Sequence, residues 1–257
     1  MAFLERMTRL LVSFLCAIWG LAACGNGVES NHARVAVATN FKSVMDALET
    51  RFEAETPYEI ETVTGATGGL YAQILQGAPF DVYLAADQTR PEKLEEAGYA
   101  ITGTRFTYAI GQLVLWHPEA EPVDLDSLKN PKLRKLAIAN PALAPYGKAA
   151  QSALDKLGLD AILQDRIVFG GNVGQAMAFV KTGNAELGIV ARSQILSLPQ
   201  AERGAHFLLD ATLHAPIRQD AQLLKRGENN KAAKAFLTYL ASDEAAEMIA
   251  DHGYASR

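Results

Sequence analysis

The sequence predicts an α/β protein built from mostly parallel sheets. From Arg34 onward, short β-rich runs alternate with segments of helical periodicity, the order typical of strands joined by crossover helices. Four of the expected strand-to-helix turns carry neutral hydrogen-bonding residues such as Thr, Asn and Tyr. The chain has 257 residues, 49% of them hydrophobic and 21% charged, which allows one large or two modest globular domains.

The individual elements follow from local patterns. Strands are expected at short apolar runs bounded by turn residues: 34–39, 58–64, 80–85, 108–116, 136–139, 166–169, 186–190, 206–209 and 215–224. Helices are expected at 43–55, 69–76, 89–97, 147–157, 173–181, 230–241 and 243–251. In the first helix Val44, Leu48 and Phe52 recur at i, i+4 and i+8 and form one apolar face. Ser242 is suited to cap the last helix, because acidic residues follow it directly.

Two segments without clear periodicity are expected to connect two lobes. One runs through 103–107 into Tyr108, and the other is 214–217. A chain that leaves one lobe, builds a second and returns crosses between them twice. We therefore expect lobe 1 to comprise 34–107 and 216–257, and lobe 2 to comprise 108–215.

The first 23 residues have the pattern of a secretory signal peptide. Arg6 and Arg9 precede an apolar run at 10–20, which is well short of the ~20 residues that span a bilayer. Leu-Ala-Ala-Cys at 21–24 resembles the bacterial lipoprotein cleavage box, in which Cys24 is acylated, and 24–33 has the composition of a flexible tether. We expect an extracytoplasmic protein that a lipid anchors to a cell membrane; the alternative is an uncleaved anchor helix.

Charge and cysteine content exclude several functions. Both cysteines, Cys16 and Cys24, lie in the leader, so the mature domain has no thiol for a disulfide, a metal or a nucleophile. Loss of residues 1–23 removes two Arg and one Glu and changes the net charge from −5 to −6. Such an acidic chain is a poor candidate for nucleic-acid binding and attracts no anion over long range. The five histidines lack metal-ligand spacing, and no hydrolase or zinc-protease motif is present.

The four polar turns indicate anion binding without catalysis. They lie at 37–41, 64–69, 145–147 and 170–174. A helix N-terminus offers unpaired N–H groups and the positive end of the helix dipole. Thr39 and Asn40 could instead cap the next helix, and the glycines around Thr67 could form a plain tight turn. No partner acid or base is identifiable, so the pattern favours an oxyanion receptor.

An ordered set of motifs covers 34–254. The motifs are VAVATNF at 35–41, GATGGLYAQI at 65–74, GAPFDVYLAAD at 77–87, NP at 140–141, PYG at 145–147, NVGQA at 172–176, ELGIV at 186–190 and HGY at 252–254. This set resembles the periplasmic molybdate-binding proteins of ABC transporters. The resemblance implies the type II two-lobe periplasmic binding protein fold, in which each lobe is a mostly parallel sheet flanked by helices.

The resemblance also implies a ligand, a site and partners. The ligand would be molybdate or tungstate, held as an oxyanion without a cofactor and without direct coordination of the metal by side chains. By motif position the binding residues are Thr39, Asn40 and Thr67 in lobe 1, with Tyr146 and Val173 in lobe 2 acting through backbone N–H groups. The partners would be a membrane permease and an ATPase, and the receptor itself would be a monomer.

Two departures from the family pattern leave alternatives open. Ala191 stands where some members have Tyr, so that contact is missing or supplied by Tyr146, and Thr67 stands where many have Ser. A receptor for sulfate or another small oxyanion is one alternative. A secreted α/β enzyme on the same scaffold and a lipoprotein that only docks onto another envelope protein are others.

Overall fold

The structure, a computed structural model, describes residues 31–119 and 121–256. These residues form two lobes, each a five-stranded mixed sheet flanked by helices. The expected signal peptide and Cys24 lie outside the described residues. Within the described part of the chain, no helix has the length and apolar character needed to cross a membrane.

Strands and helices alternate along the chain. The strands are β1 (His32–Ala38), β2 (Glu59–Gly65), β3 (Val82–Leu84), β4 (Phe106–Gly111), β5 (Leu113–His117), β6 (Leu136–Ala139), β7 (Ile167–Gly170), β8 (Leu187–Ala191), β9 (Ala205–Leu208) and β10 (Ile217–Leu223). The helices are α1 (Lys42–Glu55), α2 (Thr67–Leu75), α3 (Thr89–Glu96), α4 (Pro145–Lys156), α5 (Asp160–Leu163), α6 (Val173–Lys181), α7 (Arg192–Leu196), α8 (Lys231–Leu240) and α9 (Asp243–Asp251). The expected helices at 173–181 and 243–251 are confirmed, and Ser242 caps the second.

The two sheets have the same arrangement. The lobe 1 sheet has the order β2-β1-β3-β10-β4, and the lobe 2 sheet has the order β7-β6-β8-β5-β9. In each, four strands run one way, and the fourth strand in the order, β10 or β5, runs antiparallel to both of its neighbours. In lobe 2 the antiparallel strand, β5, is the first one after the chain crosses from lobe 1. In lobe 1 the antiparallel strand, β10, is the first one after the chain crosses back. The sheets are therefore mixed because the chain crosses between lobes twice.

The first crossing differs from the expectation. The prediction of a single strand at 108–116 is wrong. Gln112 separates two strands there, β4 in lobe 1 and β5 in lobe 2. The lobe 1 sheet continues through Gly111, beyond the boundary expected at residue 107. At the amino end, β1 begins at His32, inside the expected tether, since its pairing with β2 starts there. The return connection lies at 214–216, between the 3-10 turn Ala211–Leu213 and β10.

The lobe 1 sheet is covered on both faces. In β1, Ala33, Val35 and Val37 are fully buried in one hydrophobic cluster with α1, α8 and α9, while Ala36 is buried in a second cluster with residues of α2 and α3. A run that is apolar at successive positions is typical of a parallel strand buried on both sides. Lobe 2 has one cluster around β5, β6 and β8, which includes the fully buried Trp116.

Candidate functional site

A small cavity lies between the lobes, where the carboxyl ends of β1, β2 and β3 face those of β6 and β7. Its volume, counted as space for the centre of a water-sized sphere, is about 10 Å³, which is too small for a sugar, an amino acid or a peptide. The lining residues are Ala38, Thr39, Asn40, Gly65, Ala66, Thr67, Ala86, Ala144, Pro145, Tyr146, Asn172 and Val173. All five residues expected to bind the ligand are among them.

Thr39 and Asn40 lie in a 3-10 turn between β1 and α1. The Thr39 hydroxyl makes no hydrogen bond to a described residue, so it is free to donate to a ligand. The Asn40 side chain is already engaged, because Nδ2 donates to Gln219 Oε1 at 2.8 Å and to Tyr254 Oη at 3.0 Å. The Asn40 side-chain amide is therefore held by residues of lobe 1.

Thr67 is the first residue of α2 and is 1% exposed. Its Oγ1 accepts a hydrogen bond from the backbone N–H of Ala86 at 3.1 Å, and its carbonyl accepts from Tyr83 Oη at 2.8 Å. Since Oγ1 is the acceptor in its contact with Ala86, the hydroxyl proton remains available to the cavity. The N-cap of α2 is Ala66, whose methyl group cannot satisfy the first N–H groups of the helix.

Lobe 2 provides two further helix N-termini. Tyr146 lies in the first turn of α4, which begins after Ala144, again a residue without a capping side chain. Val173 is the first residue of α6. The lobes approach closely here, because a Cβ added to Gly174 would lie 2.7 Å from Thr39 Cγ2. Glycine is therefore required at position 174 for the two loops to meet.

Gln219 in β10 connects ligand-side residues of both lobes, and sequence reasoning missed it. Its Oε1 accepts from Asn40 Nδ2 at 2.8 Å and from Tyr108 Oη at 3.1 Å, and its Nε2 donates to Tyr146 Oη at 3.2 Å. The side chain is 0% exposed. A polar residue in a strand expected to be buried is a signal that could have found it, since buried polar groups need partners.

The cavity lining is electrically neutral. It contains no carboxylate, lysine, arginine or histidine. Tyr146 is its one titratable side chain, and burial raises the pKa of its phenol well above the usual value, so it stays protonated. The Tyr146 hydroxyl accepts a hydrogen bond from Gln219 Nε2 at 3.2 Å. Among the described residues, no group of three or more His, Cys, Asp or Glu side chains is placed to hold a metal ion.

The lobes are closed against each other around the cavity. Hydrogen bonds join them at several points: Gly68 N–H to the Leu143 carbonyl at 2.9 Å, Arg90 Nη2 to the Ala142 carbonyl at 3.2 Å, and Ser193 Oγ to the Asn40 carbonyl at 3.0 Å. Hydroxyl and N–H donors from both sides thus converge on one enclosed space. Such an arrangement can hold a small anion that needs no proton acceptor, and it presents no general base beside a nucleophile.

Comparison with known proteins gives matches along the whole described chain. A family described as bacterial extracellular solute-binding protein matches residues 33–255. Molybdate-binding protein ModA of Azotobacter vinelandii is 45% identical over 237 residues, which are 91% of this chain and 93% of the relative. ModA of Rhodobacter capsulatus is 42% identical over 222 residues, with coverages of 85% and 86%.

A solved structure matches as well. The Azotobacter vinelandii periplasmic molybdate-binding protein has a TM-score of 0.83 and 38% identity, over 88% of this chain and 99% of that chain. This likeness confirms the expected two-lobe fold. The matched regions include both lobes and every residue that lines the cavity.

Proposed function

The chain belongs to the bacterial extracellular solute-binding proteins and, within them, to the molybdate-binding proteins, and we propose that it captures molybdate between its lobes for delivery to an ABC transporter. The resemblance found in the sequence is thereby confirmed. Members of this family act outside the cytoplasm, and they work with a membrane permease and an ATPase on other chains. The protein is a receptor, and the ligand leaves it chemically unchanged.

One observation carries the proposal: five donor residues from two lobes line a single neutral cavity. We assign the hydroxyls of Thr39 and Thr67 and the backbone N–H groups of Asn40, Tyr146 and Val173 to the oxyanion. The helix dipoles of α2, α4 and α6 add positive potential at the same point. Neutral donors suffice because each hydrogen bond to a charged group contributes about 1.5–3 kcal/mol.

The donor set also favours one class of anion. Phosphate near neutral pH retains a proton, which needs an acceptor such as a carboxylate, and the lining has none. Molybdate, tungstate and sulfate carry no such proton. We propose that tungstate binds with molybdate and that both bind more tightly than sulfate; the support for this preference is the similarity to molybdate-binding proteins.

Ligand binding is coupled to lobe closure. Contacts to lobe 1 and lobe 2 form together only in the closed arrangement, and this difference in affinity shifts the molecule toward it. Hinge closure of this kind is a general behaviour of periplasmic binding proteins. The connections at Gln112 and 214–216 are the segments that would bend.

We also propose that Cys24 carries a lipid that holds the monomeric receptor at a membrane. Support comes from the Leu-Ala-Ala-Cys sequence at the end of an apolar run. Stable anchoring takes more than one acyl chain, at about 0.8 kcal/mol per buried CH₂. Cys24→Ser should release the protein from the membrane fraction, and an unchanged membrane fraction would contradict the anchor.

Calorimetric titration tests the ligand assignment. The purified protein is titrated with molybdate, tungstate, sulfate and phosphate in turn. We expect saturable one-to-one binding of molybdate and tungstate, weaker binding of sulfate, and still weaker binding of phosphate. Phosphate binding as tight as that of molybdate would contradict the neutral-donor site, and sulfate as the tightest ligand would make the chain a sulfate receptor. No binding of any of the four would overturn the proposed function.

A further inference from the structure

A second, much larger space lies between the lobes beside the cavity. We call it the basic groove, and its volume is about 960 Å³ on the same measure. Arg90 and Lys93 of α3, Lys148 of α4 and Arg218 of β10 line it. Four cationic side chains from two lobes thus surround one open space.

The basic groove is cationic within an acidic chain. Asp87 is its one carboxylate, and it forms an ion pair with Arg90. The side chains of Lys93, Lys148 and Arg218 are exposed and make no ion pair with a described residue. Three positive charges are therefore uncompensated here, although the whole chain carries a net charge of −5.

The position of Lys148 is not explained by helix stability. It lies in the first turn of α4, where the positive end of the helix dipole makes a cation unfavourable. Arg90 and Lys93 are three residues apart, so they share one face of α3, with Arg90 in its first turn and Lys93 in its last. Lys148 therefore adds positive potential to the groove at a cost to α4.

The basic groove adjoins the cavity, since Ala86 and Pro145 line both spaces. At the wall of the groove two hydrogen bonds join the lobes: Gly68 N–H donates to the Leu143 carbonyl, and Arg90 donates to the carbonyl of Ala142. Separation of the lobes would break both bonds and widen the space between groove and cavity.

We propose that the basic groove is a second anion site, which collects the oxyanion from solution before the lobes close over it in the neutral cavity. The inference rests on the proposed function and adds the entry route and its charge. A cleft lined by one sign of charge concentrates ions of the opposite sign and raises association rates by about 10- to 1,000-fold. The neutral cavity holds the ion, whereas the cationic groove supplies it.

The test separates association from dissociation. Molybdate binding is followed by stopped-flow fluorescence for the wild type, for Lys93→Ala/Lys148→Ala and for the control Lys132→Ala/Lys234→Ala. Lys132 and Lys234 are also exposed and make no side-chain ion pair with a described residue, and they line neither space. Both variants lose two positive charges, so the overall charge is matched. Each is measured from about 0.01 M to about 0.15 M salt.

We expect the association rate of the groove variant to fall about 10-fold at low salt, with a weaker dependence on salt. Its dissociation rate should stay within about twofold of wild type, and the control variant should keep the wild-type association rate. Equal association rates in the two variants, or a loss confined to dissociation, would overturn the inference while leaving the proposed function intact. A wild type without saturable molybdate binding would overturn the proposed function itself.

Discussion

The cavity and the basic groove lie side by side between the same lobes, yet they differ in size and in the charge of the residues that line them. The cavity is about 10 Å³ and lined only by neutral residues. The groove is about 960 Å³ and lined by four cations with one carboxylate. We propose an anion in both, so the charge of the lining alone does not identify the binding surface.

Holding a bound anion and attracting an anion from solution need different chemical groups. Retention needs fixed donors at short range, because an enclosed hydrogen bond to a charge is strong and an unmatched buried charge is costly. Attraction needs potential that extends into solvent, which exposed lysines and arginines provide. Changes in the cavity should therefore alter dissociation, while changes in the groove should alter association.

The largest effect is expected from Thr67→Ala. This change removes a hydroxyl donor and leaves the backbone N–H of Ala86 without its acceptor. A loss of about 1.5–3 kcal/mol corresponds to roughly 10- to 150-fold weaker molybdate binding, expressed as faster dissociation. Calorimetry and stopped-flow measurements check this. Thr67→Ser keeps the hydroxyl and is the matched control; if it loses as much affinity as Thr67→Ala, the hydroxyl is not the binding group.

A smaller effect is expected from Gln219→Leu, which touches the cavity only through other residues. It leaves Asn40 Nδ2 with one partner fewer and Tyr146 Oη without its donor. We expect about 5- to 30-fold weaker binding, from about 1–2 kcal/mol. The control is Gln222→Leu, three residues along the same strand and equally buried, whose Oε1 has no hydrogen-bond partner in the described chain.

Comparison of Gln219→Leu with Gln222→Leu distinguishes a role in positioning the ligand-binding residues from a role in the stability of the fold. Thermal unfolding without ligand reports the stability of each fold, and calorimetry reports affinity. Gln222→Leu should leave molybdate affinity within about twofold of wild type. If both variants lose affinity in proportion to stability, Gln219 has a structural role only.

The smallest effect is expected from pH. Tyr146 is the one titratable residue of the cavity, and burial raises its pKa. Molybdate affinity should therefore stay constant from about pH 6 to about pH 9 in calorimetry. Above about pH 10 the unfolded chain releases its tyrosine protons before the folded one does, so stability should decline. A break in affinity near pH 6.5 would indicate a histidine in the site and contradict the neutral lining.

Local patterns predicted most of the fold. The alternation of strands and helices gave the α/β class, and β6, α6 and α9 have the expected bounds. The crossing at Gln112 was missed because the run from Tyr108 to Trp116 is almost continuously apolar. Nothing local shows that its first half pairs with β10 and its second half with β8 and β9. Such pairing depends on residues far away in the chain.

The candidate site shows the same division. The sequence indicated which five residues line the cavity, through the four polar turns and the motif positions of the family resemblance. It did not indicate the orientation of the Asn40 amide, which is turned toward Gln219 and Tyr254 by partners 179 and 214 residues away. The cations of the basic groove were also missed, because Lys93, Lys148 and Arg218 have no common motif and meet only in three dimensions.

The position of β10 sets the order in which the molecule can be completed during synthesis. The lobe 2 sheet comes from one continuous stretch between Leu113 and Leu208, whereas β10 inserts between β3 and β4 of lobe 1. Until residues 217–223 emerge, β3 and β4 have no strand between them, and the edge that each presents is a template for wrong pairing. We therefore expect the lobe 1 sheet to be the last part of the molecule to form, after the whole of lobe 2 has been synthesised.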